Sequence, residues 1–162
     1  MIALPFALMS GVVFYHKWLM LALFILIWVN DSGAYIVGSL MSKRKGGNHK
    51  MFPRVSPAKS WEGLIGGFVF DLIAGYVFFR VGWTASLGLT AYPLLDSLLF
   101  ALVVGVFGTL GDLMESLMKR TVGVKDSGRF MPGHGGVLDR FDSLLLAVPV
   151  VYFLFVYLPT IL

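Results

Sequence analysis

The sequence predicts an all-α protein, a polytopic transmembrane helix bundle with about five membrane segments. Three observations predict it. Of 162 residues, 57% are hydrophobic and 14% are charged, whereas a soluble domain carries about 25% charged residues. The apolar residues fall in long blocks, and about 20 such residues carry a helix across the hydrocarbon core. The basic residues gather in two connecting stretches: residues 42–60 and 119–140 hold 11 of the 13 Lys and Arg. The absence of cysteine excludes a disulfide frame and a thiolate metal site. No basic region precedes the first apolar run, so the start does not read as an ordinary signal peptide.

Residues 1–15 are apolar but short for a span, and His16 and Lys17 follow them. Residues 18–41 are long enough to cross, with Asn30, Asp31 and Ser32 about halfway along. A carboxylate at that depth is costly, so Asp31 is expected to face the bundle interior. Ala34 and Gly38 form a pair of small residues suited to close helix approach. Residues 42–60 contain Gly46, Gly47, Pro53 and Pro57, which exclude one continuous helix. Ser60 is expected to cap the next helix, with Glu62 in its first turn.

The segment from Trp61 to Val81 carries Gly63, Gly67, Asp71 and Gly75 at intervals of four. They share one face, which should pack against another helix and turn Asp71 inward. Trp83, Tyr92 and Pro93 mark an interfacial loop. Asp96 is expected to cap a span over residues 96–118, lightened on one side by Gly105, Gly108 and Gly111. Asp112, Glu115, Ser116 and Lys119 make one polar face at its end. Residues 142–162 form the last span and include Pro149. Two spans separate the basic stretches, so both lie on one side, the cytoplasmic side by the positive-inside rule.

The candidate chemistry lies between Asp112 and Asp142. Hard divalent cations take oxygen ligands, and Mg²⁺ typically takes one or two carboxylates plus substrate phosphates. Asp112, Asp139 and Asp142 are the candidate metal ligands, although Asp139 and Asp142 also suit an N-cap and an N3 acid of the last helix. Asp112 lies within a span, where an ionisable residue marks a functional site. Lys119, Arg120, Lys125 and Arg129 suit the phosphates of a polyphosphate, although basic residues beside spans also serve topology. Gly133, Gly135 and Gly136 around His134 allow backbone N–H groups to crowd an anion. His134 either orients or protonates a phosphate oxygen or caps the loop, and no second nearby His supports it as a transition-metal ligand. Asp31, with its polar neighbours, and Lys59 are candidate contributors from earlier in the chain, whereas Asp71 is either a site residue or a packing residue.

Three blocks carry a family resemblance. Ser116-x-Met118-Lys119-Arg120-x4-Lys125-Asp126-x-Gly128, followed by Pro132-x-His134-Gly135-Gly136-Val137-x-Asp139-Arg140-Phe141-Asp142, resembles the signature of phosphatidate cytidylyltransferases, also called CDP-diacylglycerol synthases. NDSGAY at residues 30–35 and SPAKSWEG at residues 56–63 resemble two further blocks of that family. Met131 stands where Leu, Ile or Phe is expected, and Ala58 where a second Lys is common. Family members usually have several more N-terminal spans, so residues 1–162 are expected to be a single membrane domain matching the family's C-terminal, catalytic part.

The resemblance implies that CTP and phosphatidate give CDP-diacylglycerol and pyrophosphate with Mg²⁺, a second cation being a further expectation. It implies Asp112, Asp139 and Asp142 at the metal, with His134 as a further catalytic residue that shapes the phosphate pocket. Ser116, Lys119, Arg120, Lys125, Arg129, Gly135, Gly136, Asp31 and Lys59 would bind substrate, and Arg140 would meet the lipid headgroup. The expected partners are CTP, phosphatidate, the bilayer and a second copy in a homodimer, with no nucleic acid. The expected location is the cell's inner membrane, with the site facing the cytoplasm. A CTP-dependent polyprenol or phytol kinase shares this metal and nucleotide logic, and a proton- or ion-coupled transporter using Asp31, Asp71 and Asp112 is a reading of another class.

Overall fold

The computed structural model describes residues 3–15, 17–43, 47–84, 87, 89–123 and 138–161, with the backbone alone for 138–140. Five helices follow in order: α1 (Ala3–Tyr15), α2 (Lys17–Ser42), α3 (Trp61–Val81), α4 (Pro93–Thr121) and α5 (Leu138–Val151). The last continues as a wider turn over Tyr152–Tyr157 and a tighter one over Leu158–Thr160. Among the described residues, four stretches are long and apolar enough to cross a membrane: Lys17–Ser42, Trp61–Val81, Pro93–Thr121 and Phe141–Thr160. The protein is thus an all-α polytopic bundle, with α1 as a shorter apolar helix. Helices satisfy their own backbone groups, which is what a lipid solvent demands.

One element departs from the expected loop. Residues 42–60 contain an antiparallel hairpin, β1 (Lys50–Phe52) and β2 (Ser56–Ser60), with Lys50 opposite Ser60 and Phe52 opposite Ser56. Pro57 is tolerated because a two-stranded sheet consists of edges. β2 runs directly into α3. Ser60 caps that helix, its hydroxyl accepting from Gly63 N–H at 3.1 Å. The Glu62 carboxylate in the first turn accepts from His49 N–H at 3.1 Å, which ties the hairpin to the helix. Gly82 closes the other end of α3 at φ +80°, a left-handed conformation that favours glycine.

The core lies between α2, α4 and α5. Leu19, Leu23 and Leu26 pack there with Val104 and Val148, and Phe100 meets Phe155 edge-on at 5.4 Å. Phe14, Ile65, Ile73 and Leu102 are exposed, as apolar side chains on the outside of a membrane bundle must be. The glycine face of α3 packs inward as expected, and Asp71 is fully buried. A side chain at Gly63 would come within 2.9 Å of the Ala34 carbonyl, so α2 and α3 approach through small residues.

One boundary expectation is corrected. α4 begins at Pro93 with Tyr92 as its cap, not at Asp96. Pro suits the first turn because its missing N–H would have no helical partner there. Asp96 sits one turn in, buried, and accepts from Thr90 N–H at 3.1 Å. α5 is described from Leu138 onward, and the stretch where Asp139 and Asp142 would act as cap and N3 acid borders residues outside the described ones.

Candidate functional site

The site forms where α4 and α5 touch. Gly111 makes that contact: a side chain there would stand 2.5 Å from the Asp142 carbonyl and 3.1 Å from Ser143 Cα. One turn brings Asp112 and Glu115, three residues apart, to the same side of α4. Asp142 reaches them from α5. Carboxylate oxygens of Asp112, Glu115 and Asp142 all lie within 4.8 Å of one another. Glu115 is buried, and the two aspartates are half-buried.

Three carboxylates so close repel one another unless cations offset them. Two ammonium groups do so in part. Lys59 Nζ, from the end of β2, lies 2.5 Å from Asp112 Oδ2. Lys119 Nζ lies 2.9 Å from Glu115 Oε2. Ser116 Oγ stands 3.4 Å from the other Asp112 oxygen, and Asp142 Oδ1 accepts from Ser143 N–H at 2.6 Å. An all-oxygen donor set on two facing helices fits a hard divalent cation, as it would not fit a soft one.

Two cavities flank the cluster, and Asp31 lines both. The first, about 200 Å³, lies against the hairpin and is lined by Asn30, Tyr35, Lys59, Ser60 and Thr109. The second, about 490 Å³, joins the acids Asp112 and Asp142 to the apolar side chains of Phe24, Trp28 and Phe141. The second cavity thus offers carboxylates for a cation on one side and hydrocarbon on the other.

Of the residues singled out in the sequence, the fold brings together Asp31, Lys59, Asp112, Ser116 and Asp142. Lys119 joins through Glu115, whereas Arg120 is exposed and donates from Nε to the Val55 carbonyl at 3.4 Å. Lys125, Arg129, His134, Gly135 and Gly136 lie outside the described residues, as do the side chains of Asp139 and Arg140. One expectation is refined: at mid-α2 the buried residue is Asn30, and Asp31 opens to the cavities. Glu115 was missed as a candidate ligand. Its three-residue spacing from Asp112 was the available signal, but it read only as part of a polar face.

Comparison with known proteins follows the same line. The profile of the Cytidylyltransferase family matches residues 1–158. Phosphatidate cytidylyltransferase of Staphylococcus haemolyticus is 45% identical over 134 residues, covering 82% of this chain and 47% of that protein. Its counterpart in Bacillus subtilis is 48% identical over 130 residues, covering 80% of this chain and 44% of that protein. That of Haemophilus influenzae is 46% identical over 139 residues, covering 83% and 45%. The chain spans about half the length of the relatives it matches.

Proposed function

Because the chain belongs to the cytidylyltransferase family, we propose that it forms CDP-diacylglycerol and pyrophosphate from CTP and phosphatidate. The observation that carries this reading is the convergence of Asp112, Glu115 and Asp142 beside a cavity that is acidic at one end and apolar at the other. A lipid phosphate joined to a nucleotide needs both surfaces together.

Asp112, Glu115 and Asp142 would hold Mg²⁺, with Asp139 and a second cation as further members of the site. When bound, Mg²⁺ supplies positive charge to the phosphate oxygens. The phosphatidate phosphate is already an anionic nucleophile, so no strong general base is required. Its oxygen bonds to the α-phosphorus of CTP, and the bond from that phosphorus to the bridging oxygen breaks, releasing pyrophosphate. The chain's task is alignment and charge compensation. Lys59 and Lys119 stand beside the acids; with Arg120, Lys125 and Arg129 they would hold the triphosphate and the leaving pyrophosphate. Ser116 and Asp31 would orient bound substrate, and His134, Gly135 and Gly136 would shape the phosphate pocket. Arg140 would meet the phosphatidate headgroup, and the second cavity would admit the diacylglycerol portion.

Residues 1–162 then act as one membrane domain in the inner membrane, with the site facing the cytoplasm, where CTP is made. The excess of Lys and Arg in two same-side stretches supports that orientation, and a homodimer is part of the reading. The test is radiolabelled CTP with phosphatidate vesicles, Mg²⁺ and this chain. CDP-lipid and pyrophosphate are the expected products. CDP with a phosphorylated lipid alcohol would overturn the reading in favour of a kinase.

A further inference from the structure

Asp71 has no part in the chemistry above, yet it is fully buried within a membrane helix. Its Oδ2 accepts from Asn30 Nδ2 at 2.5 Å. Among the described residues, its Oδ1 has no hydrogen-bond partner. Two glycines make room for this pair, one on α4 and one on the same face of α3 as Asp71. A side chain at Gly105 of α4 would collide with Asp71 Oδ2, and one at Gly67 of α3 would stand 3.1 Å from Asn30 Nδ2. A packing role alone would be better served by apolar residues, because a buried polar group left partly unsatisfied costs stability.

The hydrogen bond continues toward the site. By taking the Asn30 amide, Asp71 turns Asn30 Oδ1 outward, where it accepts from Thr109 Oγ1 at 3.4 Å. The Thr109 carbonyl accepts from Lys59 Nζ at 3.4 Å, and Lys59 pairs with Asp112. The chain of contacts therefore runs from α3 through α2 and α4 to the hairpin and ends on a carboxylate of the acid cluster. Asn30 also precedes Asp31, which lines both cavities.

We propose that Asp71 is a positioning residue: acting through Asn30 and Thr109, it sets the rotation of α2 against α4 and so holds Lys59 and Asp112 in place for the metal. This rests on the metal reading given above. Groups that orient ligands from behind typically change metal affinity by about 10–100-fold.

The test uses this chain in detergent micelles, with Mn²⁺ binding read by electron paramagnetic resonance and folding by circular dichroism. Labelling the asparagine side chains with ¹⁵N gives signals from Asn30 and Asn48 alone. The wild-type Asn30 amide is expected to exchange slowly with solvent. D71L is expected to lose that protection and to bind Mn²⁺ about tenfold or more weakly. The swap N30D/D71N restores one donor facing one acceptor and is expected to recover most of the affinity. Should D71L fail to fold, N30D alone sets two carboxylates face to face and is expected to show the same weakening, relieved in the swap. Wild-type affinity in the folded single variant, or a swap as weak as the single, would overturn the inference and leave a packing role. A wild-type chain that binds no Mn²⁺ would overturn the metal reading itself, and this inference with it.

Discussion

Lys59 and Asp112, one at the end of a strand and the other inside a membrane helix, meet at 2.5 Å. Their side chains are 23% and 30% exposed, so neither is fully buried nor freely solvated. A partly exposed pair adds about 1 kcal/mol or less to stability. K59M should therefore shift the denaturation midpoint little. Turnover of CTP into lipid should fall roughly a hundredfold, as for loss of one positioned donor at a reacting phosphate. Near-normal turnover in K59M would remove Lys59 from the site.

The acid cluster makes a prediction about metal. EDTA should abolish CDP-lipid formation, and Mg²⁺ should restore it. E115Q and D142N should each raise the Mg²⁺ concentration needed for half-maximal rate by about tenfold or more, while keeping side-chain size. An unchanged requirement in E115Q would mean that only the aspartates bind metal.

Gly111 predicts a packing effect with a chemical signature. In G111L the new side chain must push α5 away, because the Asp142 carbonyl stands where its Cβ would go. Overpacking of this kind costs about 1–3 kcal/mol. The midpoint should drop accordingly, and Mn²⁺ affinity should fall with it, since Asp142 moves with α5. Lower stability with unchanged Mn²⁺ affinity would show that Asp142 is not a ligand.

Orientation can be read directly because the chain has no cysteine. R54C lies on the exposed hairpin and A91C in the connection before α4, both exposed. In sealed vesicles of known sidedness, a membrane-impermeant maleimide should label R54C from the cytoplasmic face only and A91C from the opposite face only. The reverse pattern would invert the topology.

Much of this architecture is written in the chain's hydrocarbon blocks, because a bilayer leaves few alternatives to a helix of sufficient length. The glycine spacing on α3 likewise announced a packed face, and Ser60 announced its cap. The hairpin was hidden: strands of three and five residues with Pro53 and Pro57 nearby carry too little alternation to register. Glu115 was hidden for another reason. Its spacing from Asp112 was plain, but only the fold shows that α5 closes over that face and delivers Asp142. At mid-α2, depth alone flagged an acid, whereas burial chose its neighbour Asn30. In each case the missing information was which helix lies opposite.

Ser60 belongs to a strand and to a helix start at once, so no slack joins the hairpin to α3. Lys59 is consequently carried by the packing of a membrane helix instead of by a wandering loop. Its conformational freedom is surrendered when the chain folds, not when the proposed nucleotide arrives. Less of the attraction to phosphate is then spent on ordering the side chain that provides it. A residue or two inserted between Lys59 and Ser60 would leave every side chain of the site intact and still return that entropy to the bound state.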